Sequence, residues 1–117
     1  MITVDFQNGI VSTTVLGEFT LDDFTEFEEF LIEKNLFEKQ PNLLFDLSEM
    51  AGFTVDMAVE EIKFSRIHGG DFRRIAVVTD SQWVAWSAWL EQSFVSADLR
   101  VFDALEEARA WLSPEDV

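Results

Sequence analysis

The order of local patterns constrains this chain most, because a tight hairpin signal near its start is followed by helix-like and strand-like segments in alternation. Residues 2–6 and 10–17 are rich in β-branched side chains, and Asn8 and Gly9 stand between them. Both central positions of a two-residue hairpin turn need positive φ, which Asn and Gly adopt most readily. The chain is therefore predicted to open with an antiparallel hairpin.

Beyond the hairpin, helical periodicity alternates with short apolar runs. In chain order the predicted segments are a helix over about 21–36, a strand over 43–45, a helix over about 55–67, a strand over 74–78, a helix over about 82–94, a strand over 99–102 and a last helix that ends before Pro114. Residues 74–78 are apolar without alternation, which is typical of a strand buried on both faces of a parallel sheet. These patterns predict an α/β fold: a mixed β-sheet, opened by an antiparallel hairpin and flanked by four helices.

Side chains suited to helix N-caps precede the predicted helices. Thr20, with Asp23 three residues later, has the spacing of a capping box. The expected caps of the three later helices are Thr54, Asp80 or Ser81, and Asp103. His68, the single histidine, is expected at the end of the second helix, where its side chain would satisfy the last carbonyl groups.

Length and charge limit what the chain can bind. Its 117 residues fit one domain, 1–117, and its 23 acidic and 8 basic residues give a net charge of −15. Without a field of Lys and Arg to displace counterions from phosphates, no nucleic-acid partner is expected. The chain has no run near the ~20 apolar residues that span a bilayer and no leader pattern at its start, so we expect a cytoplasmic protein that is not integral to a membrane.

Motifs for catalysis or metal binding are scarce. The absence of cysteine excludes thiolate metal sites and disulfide scaffolds. Asp46, Asp80 and Asp103 each end a predicted strand, where clustered carboxylates could hold Mg²⁺, but the last two are better explained as helix caps. No phosphate-binding glycine loop and no nucleophile elbow occur. We therefore expect no enzyme, no catalytic residue, no metal and no cofactor.

Large apolar side chains concentrate on the second and third predicted helices. Trp83, Trp86 and Trp89 lie three residues apart, so they spread over a wide arc of one helix. Such an arc exceeds a narrow core stripe, and part of it is expected at an apolar pocket or an interface, with a bulky core as the alternative. The predicted pocket residues are Phe53, Met57, Trp83, Trp86 and Trp89.

Half of the basic residues fall within twelve positions. They are Lys63, Arg66, Arg73 and Arg74, at the end of the second predicted helix and the start of the next strand. One interpretation is a docking patch for an anionic partner or for an acidic second subunit. The other is that these cations complement the negative end of the helix dipole.

Three segments of the chain resemble the SpoIIAA-like proteins, a branch of the STAS domains, which are named for sulphate transporters and anti-sigma factor antagonists. The matching segments are Leu-Leu-Phe-Asp-Leu at 43–47, Arg-Ile-Ala-Val-Val-Thr-Asp at 74–80 with Trp83 beyond it, and Val-Phe-Asp at 101–103 with Glu106, Glu107, Ala108, Trp111 and Leu112 beyond it. The resemblance covers essentially the whole chain. It implies a STAS-like fold and a binding or regulatory module without catalysis.

The resemblance also implies a phosphorylation site at the start of the second helix, where anti-sigma factor antagonists carry a phosphorylated serine. Here that position falls on Val55, so the usual acceptor is missing, and Thr54 or Ser48 is the remaining candidate for phosphorylation. The SpoIIAA-like branch has further been likened to lipid-carrying domains with an apolar cavity between helices.

Two hypotheses about function follow from these patterns and this resemblance. The first is a noncatalytic module that binds a small apolar ligand or lipid in a pocket near the second and third predicted helices. The second is a protein-interaction regulator that resembles anti-sigma factor antagonists but lacks the phosphoserine motif. Its partner would be another protein or, in a homodimer, a second copy of the chain.

Overall fold

The computed structural model describes residues 1–79 and 98–113, which form a five-stranded sheet with helices on both faces. In chain order the elements are β1 (Ile2–Gln7), β2 (Ile10–Phe19), α1 (Leu21–Glu33), β3 (Asn42–Phe53), α2 (Val55–His68), β4 (Arg74–Val78), β5 (Asp98–Phe102) and α3 (Leu105–Leu112), with 3-10 helices at Leu36–Lys39 and Gly69–Asp71. The strands are ordered β1-β2-β3-β4-β5, with β1 and β2 antiparallel and every other pair parallel. The predicted mixed α/β fold is confirmed, while the helix predicted over 82–94 lies outside the described residues.

The opening hairpin forms as the sequence predicts. Asn8 and Gly9 have φ values of 54° and 77°, the positive values that the tight turn requires. The register places Val4 opposite Thr13, so the two strands pair along their full common length.

Strand β3 is much longer than the predicted segment 43–45. Its pairing with β4 ends where Asp46 lies opposite Val78, but its pairing with β2 continues to Phe53 through two irregularities. Polar residues such as Ser48 and Glu49 hide this extension in the sequence, because the neighbouring strand, not local periodicity, keeps the backbone extended.

The helix ends confirm one predicted cap and overturn another. The Asp23 N–H donates to Thr20 Oγ1 at 3.2 Å, and the Thr20 N–H donates to Asp23 Oδ2 at 3.0 Å, so the predicted capping box is confirmed. Asp103 does not cap α3, because the N-cap position belongs to Ala104, which makes no side-chain hydrogen bond. Helix α1 ends at Glu33 rather than near Leu36, since Asn35 turns into the left-handed region at φ 54°.

Replacing Thr20 with alanine is expected to lower the free energy of unfolding by about 1 kcal/mol, because the N–H of Asp23 loses its acceptor. Urea denaturation followed by circular dichroism measures the change. Thr20→Ser keeps the hydroxyl and is expected to retain most of the stability. Equal losses in the two variants would contradict a capping role.

The sheet separates two apolar layers. Over residues 43–47 of β3 and 75–77 of β4, the odd-numbered side chains face α1 and α2, where four phenylalanine rings pack together. The four are Phe24, Phe27, Phe45 and Phe64. Even-numbered residues, including Leu44 and Ala76, pack against Ala108 and Leu112 of α3. Burial of β4 on both faces is thereby confirmed, and α2 is held against the core with its opposite side free to face solvent.

Candidate functional site

Helix α2 buries one side and exposes apolar residues on the other. Its buried residues are Met57, Glu61, Phe64 and Ser65. On the opposite side, Val55, Val59 and Ile67 are 80%, 46% and 72% exposed. Lys63 and Arg66 are exposed on the same side, because helical geometry places positions 55, 59, 63, 66 and 67 within one arc. We call these five residues the outer face of α2.

The outer face begins at a well-anchored helix start. The Thr54 N–H donates to the Phe19 carbonyl at 3.1 Å, and Thr54 Oγ1 accepts from the Met57 N–H at 3.4 Å. The Met57 N–H also donates to Asp56 Oδ1 at 2.9 Å, so Thr54 acts as the predicted cap together with Asp56. The next residue, Val55, occupies the position where the resemblance places a phosphorylated serine, and its side chain points into solvent.

Ser48, the second residue considered for phosphorylation, lies on the extension of β3. It is exposed, and its Oγ donates to Asp46 Oδ1 at 2.6 Å, while its N–H donates to the same oxygen at 3.1 Å. These bonds hold the backbone of β3 at the point where its pairing with β4 ends. Asp46 therefore serves the local backbone.

The structure places two of the predicted pocket residues in the core. Met57 is completely buried, and Phe53 is half-buried against the same cluster. Phe64, on the same helix, is 2% exposed and packs in the same cluster. Trp83, Trp86 and Trp89 lie outside the described residues, so the pocket itself stays a prediction.

The predicted docking patch is divided by the sheet. Lys63 and Arg66 lie on the outer face of α2, and Arg73 is exposed just before β4. Arg74 faces the other side, where its Nη1 donates to the Trp111 carbonyl at 2.7 Å and its guanidinium lies 5.1 Å from the centre of the Trp111 ring. Strand alternation explains this, since the next residue, Ile75, faces the α1 and α2 layer.

His68 ends α2 as predicted, but its side chain has a different partner from the one expected. Its Nδ1 lies 2.7 Å from Asp71 Oδ2, and its ring stacks on Phe37 with the centres 3.8 Å apart. The expectation that it satisfies helix carbonyls is wrong, because the following 3-10 turn brings Asp71 within reach.

The sequence interpretation missed a buried carboxyl group in α2. Glu61 is 4% exposed, Ser65 Oγ hydrogen-bonds its Oε2, and Oε1 has no partner among the described residues. Burial raises the pKa of Glu61 to about 7, and the Ser65 hydrogen bond offsets only part of that rise. Its position between Met57 and Phe64 at helical spacing was the signal that could have revealed it.

A second carboxyl group with a raised pKa lies between α1 and α2. Burial raises the pKa of Glu28 to about 7, and the facing Glu60 carboxyl adds to the rise through charge repulsion and a hydrogen bond. The contact between the two helices therefore holds one carboxyl group, that of Glu28, whose pKa is raised.

Neither a membrane span nor a metal cluster occurs in the described parts of the chain. Among residues 1–79 and 98–113, no helix combines the length and apolar character needed to cross a bilayer. In the same residues, no three His, Asp or Glu side chains come together in a way that could hold a metal ion.

Comparisons with known proteins agree with the fold described above. A family model described as SpoIIAA-like matches residues 10–113. An uncharacterized protein of the DUF3478 family with a SpoIIAA-like fold, from Shewanella loihica PV-4, is similar with a TM-score of 0.75 and 21% identity, over 96% of this chain and 92% of that one. An anti-sigma factor antagonist from Mycobacterium paratuberculosis is similar with a TM-score of 0.63 and 16% identity, over 96% of this chain and 94% of that one. No curated protein matches the sequence significantly.

Proposed function

Because this chain belongs to the SpoIIAA-like family, we propose that it is a noncatalytic regulatory module that docks a protein partner through the outer face of α2. The carrying observation is the 80% exposure of Val55 at the start of that helix. Val59 and Ile67 extend the apolar surface, and contiguous exposed apolar residues are typical of interaction sites. The similar fold of the mycobacterial anti-sigma factor antagonist supports a regulatory role of this kind.

The charge on the outer face favours a partner with an acidic rim. Lys63 and Arg66 are exposed beside the apolar residues, in a protein whose net charge is −15. Apolar centres bordered by charged residues give affinity at the centre and selectivity at the border. A cytoplasmic, single-domain regulator agrees with these features and remains part of the proposal.

The proposed module differs from a phosphoserine switch at its central position. Val55 has no hydroxyl group, so no phosphate can be added there, and the docking surface stays apolar. Thr54 and Ser48 stay as proposed phosphorylation sites. A phosphate on Thr54 would lie at a helix N-terminus, where backbone N–H groups favour negative charge.

Binding of a small apolar ligand or lipid is the other function predicted from the sequence. With Met57 buried in the core, a pocket near α2 would depend mainly on the three tryptophans outside the described residues. Native mass spectrometry of the purified protein tests this function, and an unliganded mass after exposure to fatty acid would contradict it.

Replacing Val55 and Val59 together with aspartate is expected to weaken partner binding strongly and to leave the fold intact, because both side chains reach solvent. Affinity purification with quantitative mass spectrometry identifies proteins that the wild type retains and the variant loses. Purified partner is then expected to bind the variant at least about tenfold more weakly. Sedimentation of both proteins detects self-association through this face, which is the homodimer alternative.

The control is Ile32→Asp, which places a single aspartate, of the same charge sign, on an apolar residue that is 65% exposed on α1. It is expected to bind the partner like the wild type. If the partner binds all three proteins with equal affinity, the outer face of α2 is not the docking surface.

A further inference from the structure

A groove of about 220 Å³ lies between β1 and α1, on a part of the surface that the proposed function does not use. Val4 and Phe30, both partly buried against the core, form its apolar floor. Glu26, Glu29 and Glu33, on successive turns of α1, line it with exposed carboxylates. An apolar floor with an acidic rim suits a long cationic side chain, whose alkyl stem and charged end need these two environments.

Two lysines of the chain itself place their ammonium groups over neighbouring aromatic rings. Lys34 Nζ lies 5.9 Å from the centre of the Phe30 ring, and Lys39 Nζ lies 5.8 Å from the centre of the Phe6 ring. The three glutamates of the rim, however, form no ion pair with any described residue. No cation among the described residues therefore lies within ion-pair distance of the rim.

The neighbouring strand has an open backbone edge. β1 is the outermost strand of the sheet. Met1 and Leu16 exchange both backbone hydrogen bonds, at 3.0 and 2.8 Å. Because such pairs alternate along antiparallel strands, the N–H and C=O groups of Ile2, Val4 and Phe6 point away from β2, and no described residue bonds to them. The side chains of these same three residues contact the α1 layer.

We propose that the β1 edge binds an extended basic segment of a partner protein. The segment pairs its backbone with Ile2, Val4 and Phe6, and every second side chain then faces α1. A Lys or Arg at such a position lies over Val4 and Phe30 and reaches the carboxylates of the rim. Charge complementarity selects a basic segment, and the free backbone groups select a polypeptide over a small cation.

A fluorescein-labelled, end-blocked peptide of sequence Thr-Lys-Val-Lys-Val-Lys-Thr tests the proposal by fluorescence polarisation with the full chain. Binding is expected at low ionic strength and is expected to weaken at about 0.15 M salt, as exposed charges are screened. The peptide with Glu in place of Lys is expected not to bind. A peptide N-methylated at alternate residues loses backbone donors and is expected to bind at least about tenfold more weakly.

The protein variant Glu26→Gln/Glu29→Gln/Glu33→Gln is expected to weaken peptide binding at least about tenfold. Its control, Glu49→Gln/Glu106→Gln/Glu107→Gln, removes the same charge from exposed positions elsewhere and is expected to bind nearly as the wild type does. Val4→Pro removes one outward N–H from an edge strand, where proline is tolerated, and is expected to weaken binding as well.

Three outcomes would overturn the proposal. Equal loss of affinity in the two triple variants would mean unspecific charge attraction. Unchanged binding of the N-methylated peptide would exclude strand addition. Displacement of the peptide by spermidine at concentrations where sodium chloride of equal ionic strength has no effect would assign the groove to a small cation.

Discussion

Replacing Phe64 with alanine is expected to lower the free energy of unfolding by about 4 kcal/mol. The ring is 2% exposed. Its centre lies 5.4 Å from that of Phe24, 5.6 Å from Phe27, 6.0 Å from Phe72 and 6.1 Å from Phe37. Truncation would leave a cavity among four rigid rings, which cannot collapse to fill it.

Urea denaturation at about 25 °C, followed by circular dichroism, measures this loss. Phe64→Leu keeps much of the volume and is expected to cost about 1 to 2 kcal/mol. Ile67→Ala, on the outer face of the same helix and 72% exposed, is expected to change stability by less than about 0.5 kcal/mol. A similar small change for Phe64→Ala would contradict the packing of α2 on the aromatic cluster.

Replacing Glu61 with glutamine is expected to stabilise the protein at pH 8 and to have little effect at pH 5. The carboxyl pKa is raised from 4.5 to about 7 in the folded protein. Between these values the folded state holds more protons than the unfolded state, so the wild type loses stability as the pH rises. Above pH 7 the carboxylate is ionised while it remains buried, so the folded state carries the whole desolvation penalty.

The expected gain for Glu61→Gln at pH 8 is about 2 kcal/mol, since each pKa unit corresponds to about 1.4 kcal/mol and water entering near the ionised group relieves part of the cost. Urea titrations between pH 5 and 8.5 give the difference between variant and wild type. Glu106→Gln, at an exposed position on α3, is the control and is expected to change stability by less than about 0.5 kcal/mol. A pH-independent difference for Glu61→Gln would refute the assigned protonation.

Local chemistry allowed several elements to be predicted from the sequence. Asn8 and Gly9 specify the turn by their tolerance of positive φ, and Thr20 with Asp23 specifies the start of α1 by two short hydrogen bonds. The bounds of β4 were predicted because its continuous apolar run reflects burial on both faces. The cap predicted at Asp103 was wrong, because the helix begins one residue later than the sequence indicates and Ala104 occupies the N-cap position.

Less of the candidate sites than of the fold could be predicted from local sequence patterns. The cations Lys63 and Arg66 were singled out from the sequence, but the opposite orientation of Arg74 follows from the register of β4 in the sheet. Glu61 looks like one more acidic residue of a highly charged chain, until the docking of α2 places it among apolar side chains. Its raised pKa is a consequence of that docking.

The sequence by itself determined the hairpin, the capping box and the alternation that defines the fold class, because each depends on residues a few positions apart. The tertiary structure alone decided the outer face of α2, the burial of Glu61 and the groove beneath α1. The groove joins residues that are distant in the chain, such as Val4 and Glu29, and the packing of α2 on the core decides which side of that helix is buried. Strand register and helix packing set those distances, and both arise from burial of the whole core at once.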